Sequence, residues 1–429
     1  MSRRFLIAVL DGFGIGAMED VPRSRPEDAG ANTAASLFKA VPDLKLPVLS
    51  RLGLGPAMAA AGGAGNPPVP GPGPAGPEAC FGFHRLAHFG ADTFWGHQEL
   101  MGTKPLKGEQ APIASRLGAI EEALKKEGRR ARRYRGPGGG ADILVVEEAL
   151  TIGDNLETDL GDNYNVTAAL DLLPFEEVRK IGALVRSLVR SSRVIVFGGE
   201  GVGLENLLGA YRSSGAFAGV SAPDSGVYRR GYQVVHLGFG VNPDRQVPSL
   251  LARRGIETIL IGKVADIVEN PHGKSLSGVD TPWALEETRR QLAGLQREDR
   301  PGFLCVNVQE TDLAGHRQDP ALYAERLAAA DRGLGELLRQ MAPEDILAVT
   351  GDHGNDPLIG HPRHTREKTP LLLYGKNLKP GFIGGRETLG DTGAAALDYL
   401  APDSEEGTEA GTSYLGEIYP RRLQGFGKP

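Results

Sequence analysis

Six side chains able to bind metal follow three short apolar runs in this chain of 429 residues. The run at residues 5–10 leads into Asp11, and the run at 303–308 leads into Asp312 and His316. A third, at 346–350, leads into Asp352 and His353, with His364 eleven residues beyond His353. Carboxylate and neutral imidazole together suit Mn²⁺ or Zn²⁺, whereas Mg²⁺ and Ca²⁺ sites lean more heavily on oxygen. Six protein ligands are too many for one open catalytic ion and fit two ions bridged by substrate, roughly 3.5–4 Å apart. Such a pair stabilises both the attacking and the leaving oxygen of a phosphoryl transfer. Taken singly, Asp312 and His316 read as polarity in a loop and Asp11 as the cap of a turn. Their arrival at three separate strand ends argues for a shared site.

A metal pair of this kind needs a nucleophile. The segment Asp92-Thr93-Phe94-Trp95-Gly96-His97-Gln98-Glu99 offers Thr93. A threonine hydroxyl attacks poorly at neutral pH unless a base or a cation lowers its pKa. If Thr93 opens a helix, the free N–H groups of the first turn also steady a phosphate. Without the metal ligands, Thr93 would pass for an N-cap or an ordinary loop threonine.

The elements that must position these residues are legible as alternation. Apolar runs at 5–10, 258–261, 303–308, 346–350 and 371–374 read as buried parallel strands, and helical patterns at 281–295 and 323–341 separate the later ones. This predicts an α/β fold whose mainly parallel sheet is flanked by helices. In such sheets ligands gather where loops leave the carboxyl ends of the strands. A second α/β pattern, with strands at 143–146 and 194–197 and a helix at 176–189, predicts a smaller α/β domain inserted in the larger one. The expected division is a core of residues 1–103 and 233–429 around an inserted domain of 104–232. The Gly/Pro/Ala stretch at 61–77 reads as a surface loop, and the basic patch within 122–140 as a solvated helix face running into a loop.

Bulk properties narrow the partners. Hydrophobic content of 40% and charged content of 24% are ordinary for a soluble chain, and a net charge of −6 gives no reason to expect nucleic acid or an anionic membrane. Two cysteines, Cys80 and Cys305, make no disulfide framework. The first apolar run is six residues long, too short for a signal-peptide core, and no run approaches the ~20 residues of a membrane helix. The expectation is a cytoplasmic enzyme acting on a small phosphorylated metabolite.

Read together, these motifs resemble the phosphopentomutases, metalloenzymes of the alkaline phosphatase superfamily. Asp352-His353-Gly354-Asn355-Asp356-Pro357 followed by His364-Thr365-Arg366-Glu367 is similar to that family's pattern at the same separation. Asp11-Gly12-Phe13-Gly14-Ile15-Gly16 resembles its amino-terminal motif, and Asp92-Thr93 with Gly96-His97 and Glu99 resembles its nucleophile segment. Gly262-Lys263 and Arg386-Glu387-Thr388 fall in matching places. The resemblance implies an alkaline-phosphatase-like core, an inserted cap and two Mn²⁺ ions, with Zn²⁺ or Mg²⁺ as alternatives. It implies that Asp11, Thr93, Asp352 and His353 hold one ion, and that Asp312, His316 and His364 hold the other. It also implies that Thr93 carries the phosphoryl group, with Lys263 beside the transferring phosphate and a sugar bisphosphate as intermediate and primer.

Departures from the family concentrate where the substrate is gripped. Asp312 and His316 stand one residue closer than in standard phosphopentomutases, as in the cofactor-independent phosphoglycerate mutases, and Phe94-Trp95 and Gln98 replace the usual neighbours of the nucleophile. The family's arginine-bearing cap stretch has no clear counterpart in Ser-Ala-Pro-Asp-Ser-Gly-Val-Tyr-Arg-Arg-Gly-Tyr from Ser221 onward. Arg229 and Arg230 are the candidate substitutes, with Asp162 in the segment that replaces a second cap motif. Bidentate arginine contacts dominate phosphate recognition, so these changes point to an altered substrate. A phosphomutase working through phospho-Thr93 is the leading reading. A phosphatase-type hydrolase on the same metals is the alternative, and a non-catalytic binding protein the third.

Overall fold

Arg4–Leu10, Gly302–Val308 and Asp345–Thr350 are buried at every position and offer no polar face. Strands of this kind must be covered on both sides, which a parallel sheet between helices achieves. The computed structural model describes residues 2–62, 76–157 and 160–419. Most of the expected surface loop at 61–77 lies outside the described residues. The chain divides into two units, Met1–Pro105 with Asn242–Pro429, and Leu106–Val241.

In the larger unit, eight strands form one sheet in the order Lys274–Leu276, Glu257–Ile261, Gly302–Val308, Arg4–Leu10, Asp345–Thr350, Thr369–Tyr374, Cys80–His84 and Gly381–Arg386. Thr369–Tyr374 runs against both of its neighbours, and every other adjacent pair is parallel. The expected mainly parallel, helix-flanked sheet is the one that forms. Leu6, Ala8 and Leu10 recur with the period of two of a strand and enter one apolar cluster with Leu304, Val306, Leu347 and Val349. Helices Thr281–Arg297 and Pro320–Gln340 cover that face through Leu285, Leu292, Leu295, Tyr323, Leu327 and Leu334. Each begins at an aspartate, Asp280 and Asp319, whose side chain accepts an N–H of the first turn.

The smaller unit holds a six-stranded sheet in the order Gln233–Gly238, Arg193–Gly199, Asn163–Ala169, Leu150–Asp154, Ile143–Val146 and Ala131–Tyr134. Its pairs are antiparallel except Asn163–Ala169 with Arg193–Gly199. Helices Leu117–Lys126 and Phe175–Leu188 bury Ile120, Leu124, Val178, Ile181 and Val185 against it.

Four local expectations change. The run at 371–374, expected as a parallel strand, lies in Thr369–Tyr374, which is antiparallel to both neighbours. Gln233–Gly238 pairs with Arg193–Gly199, so the smaller unit runs on to Val241, where a return to the core was expected at 233. The basic patch is not a helix face running into a loop: its helix ends at Lys126, and Ala131–Tyr134 is an edge strand. The arginines there have carboxylates to pair with, Arg130 with Glu147, Arg132 with Glu148 and Arg135 with Asp142, so they lace the strand to its turn. Asp312 and His316 sit on a short helix, Glu310–His316, rather than in a loop. No helix among the described residues is long and apolar enough to cross a membrane.

Candidate metal centre

Four adjacent strands deliver the chemistry to one edge of the larger sheet. Leu10 pairs with Val308, Val9 with Thr350, and Ile261 with Val306, so the carboxyl ends of these strands lie side by side. Asp11 follows the first directly, Asp312 lies one helical turn past the second, Asp352 and His353 follow the third, and Lys263 follows the fourth. Gly12 makes the sharp exit after Asp11 with φ of +72°, a left-handed conformation that glycine adopts without strain. Its N–H donates to Asp352 Oδ1 at 3.1 Å, and its carbonyl accepts from the Tyr323 hydroxyl at 2.9 Å.

Two groups of donor atoms result. Asp312, His316 and His364 each bring one donor within 4.8 Å of the others, and so do Asp11, Asp352 and His353. In the first group His316 Nε2 is 3.3 Å and His364 Nε2 3.2 Å from the Asp312 carboxylate. In the second, His353 Nε2 is 3.5 Å from both Asp11 and Asp352. The rings of His353 and His364 stack with centroids 4.0 Å apart, which brings the two groups together. The six ligands expected from the sequence therefore meet.

The protonation of these groups tests whether divalent cations fit. Nδ1 of His316, His353 and His364 faces the backbone carbonyl of Pro362, Gly354 and Ala91 respectively. A carbonyl only accepts, so each Nδ1 carries a proton and each Nε2 is turned inward, the orientation found around metal-bound imidazoles. His316 Nε2 and His364 Nε2 lie 2.9 Å apart beside the Asp312 carboxylate, a cluster of three donors that a divalent cation would suit. Asp352 Oδ2 is buried with no hydrogen-bond partner. The donor set fits divalent metal.

Charge says the same. Burial, then the Asp352 carboxylate, push the Asp11 carboxyl up to about 7. Burial opposes ionisation of Asp352 and Asp312 as well, but His353 with His97 holds Asp352 low, and His364 with Lys263 holds Asp312 well below the usual range. The Asp312 carboxylate raises His316, whereas burial and His353 lower His364. Three buried carboxylates crowd one ammonium, and cations would relieve that crowding.

Thr93 stands among these groups as the first residue of helix Thr93–Leu100. Asp92 caps the helix, its carboxylate accepting the N–H of Trp95 at 3.1 Å. Thr93 Oγ1 is 2.7 Å from His353 Nε2 and 3.3 Å from Asp11 Oδ1, and Lys263 Nζ donates to it at 3.1 Å. Gly96 allows this approach, because a Cβ there would meet both Cβ and the carbonyl oxygen of Asp352 at 2.7 Å.

Several neighbours had no role assigned from the sequence, although His97, Glu99 and Asn355 stand in the motifs. Asn307 donates to Asp11 Oδ2 at 3.1 Å, Asn355 donates to Asp312 Oδ1 at 2.9 Å, and His97 Nδ1 faces the Thr93 carbonyl at 2.9 Å. A polar Asn307 inside an otherwise apolar run was the available signal. Glu99 accepts from the backbone of Ala87, His88 and Leu389 and from the Thr388 hydroxyl, tying helix Thr93–Leu100 to the loop before it and to the turn at Thr388. The three cap candidates belong to the smaller unit. Arg230 pairs with Glu200 at 3.0 Å, Arg229 is exposed, and Asp162 directly precedes strand Asn163–Ala169.

A family model described as the metalloenzyme superfamily matches residues 3–403. The phosphopentomutase of Symbiobacterium thermophilum is 31% identical over 97% of this chain and 98% of its own length. That of Anaeromyxobacter sp. (strain K) is 32% identical over 97% and 100%, and that of Desulfitobacterium hafniense (strain DSM 10664 / DCB-2) is 31% identical over the same shares. Full-length similarity at this level carries both the metal dependence and the class of reaction. The chain belongs to the metalloenzyme superfamily and, within it, to the phosphopentomutase family of phosphomutases.

Proposed function

We propose that this metal-dependent phosphomutase moves a phosphoryl group within a small phosphorylated sugar of the pentose phosphate class, through a phosphothreonine at Thr93. The observation that carries the reading is the position of Thr93 Oγ1, within 3.3 Å of Asp11, His353 and Lys263 at a helix N-terminus. Asp11, Thr93, Asp352 and His353 would hold one divalent cation, and Asp312, His316 and His364 the other, with Mn²⁺ preferred over Zn²⁺ or Mg²⁺. When bound, the cations supply charge that lowers the pKa of the Thr93 hydroxyl and offsets the charge of the transferring phosphoryl group.

The chain's own groups do the rest. The Lys263 ammonium favours the ionised Thr93 oxygen and meets the incoming phosphate. The free N–H groups of the first helical turn face the same place. Phospho-Thr93 hands its phosphoryl group to the free hydroxyl of a sugar monophosphate, giving a bisphosphate, and takes back the other phosphoryl group to leave the isomer. A sugar bisphosphate therefore primes the enzyme. Asp162, Arg229 and Arg230 are the candidate substrate contacts of the cap. The names of the relatives support the pentose, and the buried, free Cys80 and Cys305 suit a cytoplasmic setting.

The test is the intact mass of Mn²⁺-loaded protein after exposure to a pentose bisphosphate. Wild type gains one phosphoryl group and Thr93→Ala gains none. Phosphate retained on Thr93→Ala at wild-type levels overturns the role of Thr93. Steady release of inorganic phosphate from simple esters, without a bisphosphate primer, would favour hydrolysis instead.

A further inference from the structure

Asn307 is the one polar side chain in strand Gly302–Val308, and it is buried. Its Nδ2 lies 3.1 Å from Asp11 Oδ2 and 3.1 Å from His97 Nε2, while its Oδ1 is buried with no partner. The carboxylate fixes the amide's orientation, since turning it over would set a carbonyl oxygen against Asp11. With Nδ2 facing it, His97 Nε2 must accept, so the proton of His97 is on Nδ1. That N–H points at the Thr93 carbonyl at 2.9 Å and lies 3.3 Å from Asp352 Oδ2. The amide orientation of Asn307 and the tautomer of His97 are thereby assigned along the path Asp11–Asn307–His97–Thr93. A buried amide oxygen left without a donor is costly and calls for a reason beyond packing.

We infer that His97 and Asn307 act as one positioning chain that locks the backbone of Thr93 to the Asp11 carboxylate, setting the reach of the nucleophile without touching the phosphate. The inference rests on the Thr93 reading. It assigns both residues to the rate of phosphoryl transfer rather than to substrate affinity, because a nucleophile held even about 1 Å out of place loses on the order of a hundredfold in rate.

The test is a double-mutant cycle on Mn²⁺-loaded protein, read as the single-turnover rate of Thr93 phosphorylation by a pentose bisphosphate. His97→Phe and Asn307→Leu should each slow transfer about ten- to a hundredfold, with KM and bound metal unchanged. The double variant should be no slower than the slower single variant, because a chain broken once is already broken. His97→Asn, which keeps a donor near the Nδ1 position but loses the acceptor that faces Asn307, should recover little of the loss. Asn307→Ala replaces Asn307→Leu if the latter does not fold. Losses that multiply in the double variant, or a raised KM with kcat intact, overturn the chain. A wild-type protein that never takes phosphate on Thr93 overturns the underlying reading instead, and the two failures are distinct.

Discussion

Lys263 Nζ lies 3.1 Å from Thr93 Oγ1 and also reaches both donor groups, at 3.5 Å from Asp11 and 3.7 Å from Asp312. Burial opposes its charge, but the carboxylates of Asp11, Asp312 and Asp352 outweigh burial and hold the ammonium protonated far above neutral pH. It is thus a fixed cation beside the proposed nucleophile, suited to charge that grows in the transition state.

Removing that cation should hurt the chemistry more than the binding. Lys263→Met is expected to slow phosphorylation of Thr93 by about 10²–10³, the usual effect of losing one aimed charge at a reacting oxygen. Single-turnover intact mass spectrometry with a pentose bisphosphate measures this. A change smaller than about threefold would remove Lys263 from the mechanism.

Gly96 tests the close approach of helix Thr93–Leu100 to Asp352. A methyl group there meets Asp352 at 2.7 Å on both Cβ and carbonyl oxygen, so helix Thr93–Leu100 must shift. Gly96→Ala should cost about 1–3 kcal/mol of stability through overpacking. Activity should fall by about a hundredfold from the displacement of Thr93. Thermal melts beside single-turnover rates separate the two effects, and a fully active variant would show that the helix yields freely.

Metal removal should act through both donor groups, and His364→Ala through one. Chelation of the wild type should lower Tm, because each ion held at 100 times its Kd contributes about 2.7 kcal/mol to the folded state. His364 approaches Asp312 at 3.2 Å, so His364→Ala should release one ion and keep the other under graded chelation, followed by metal stoichiometry. Loss of both ions together would contradict the proposed division of ligands.

His84 supplies a pH dependence from a buried imidazole outside the two donor groups. It is wholly buried, with Nε2 2.9 Å from the Thr392 hydroxyl and Nδ1 3.2 Å from that of Thr350. Burial pushes its imidazole down from 6.5 to about 3. Above pH 6.5 the ring is neutral folded or unfolded, so His84 contributes no pH dependence there. Between about 6.5 and 3 the unfolded chain binds a proton that the folded one refuses, and stability falls by up to about 1.4 kcal/mol per pH unit. Denaturant titrations of wild type and His84→Gln should diverge in slope across that window. Parallel curves would count against the assignment.

Much of this site was written locally in the sequence. An apolar run that ends in Asp11, Asp352 or the Asp312 segment marks a strand end without knowledge of its neighbours, and Asp92-Thr93 marks a helix start through the capping carboxylate alone. The motifs and their order were enough to place the chain with its relatives. Only the tertiary structure decided which strands adjoin, and so that Lys263, Asp312, Asp11 and Asp352 share one edge. It also decided that Asn307 bridges Asp11 and His97, and that Gln233–Gly238 closes the smaller sheet rather than returning to the larger one. Strands Cys80–His84 and Gly381–Arg386 were missed because their glycines and polar ends interrupt the apolar run that marks a buried strand. The physical reason is common to all of these. Helix caps and strand ends depend on residues a few positions apart, whereas strand pairing and side-chain bridging join residues hundreds of positions apart and follow from the packing of the whole sheet.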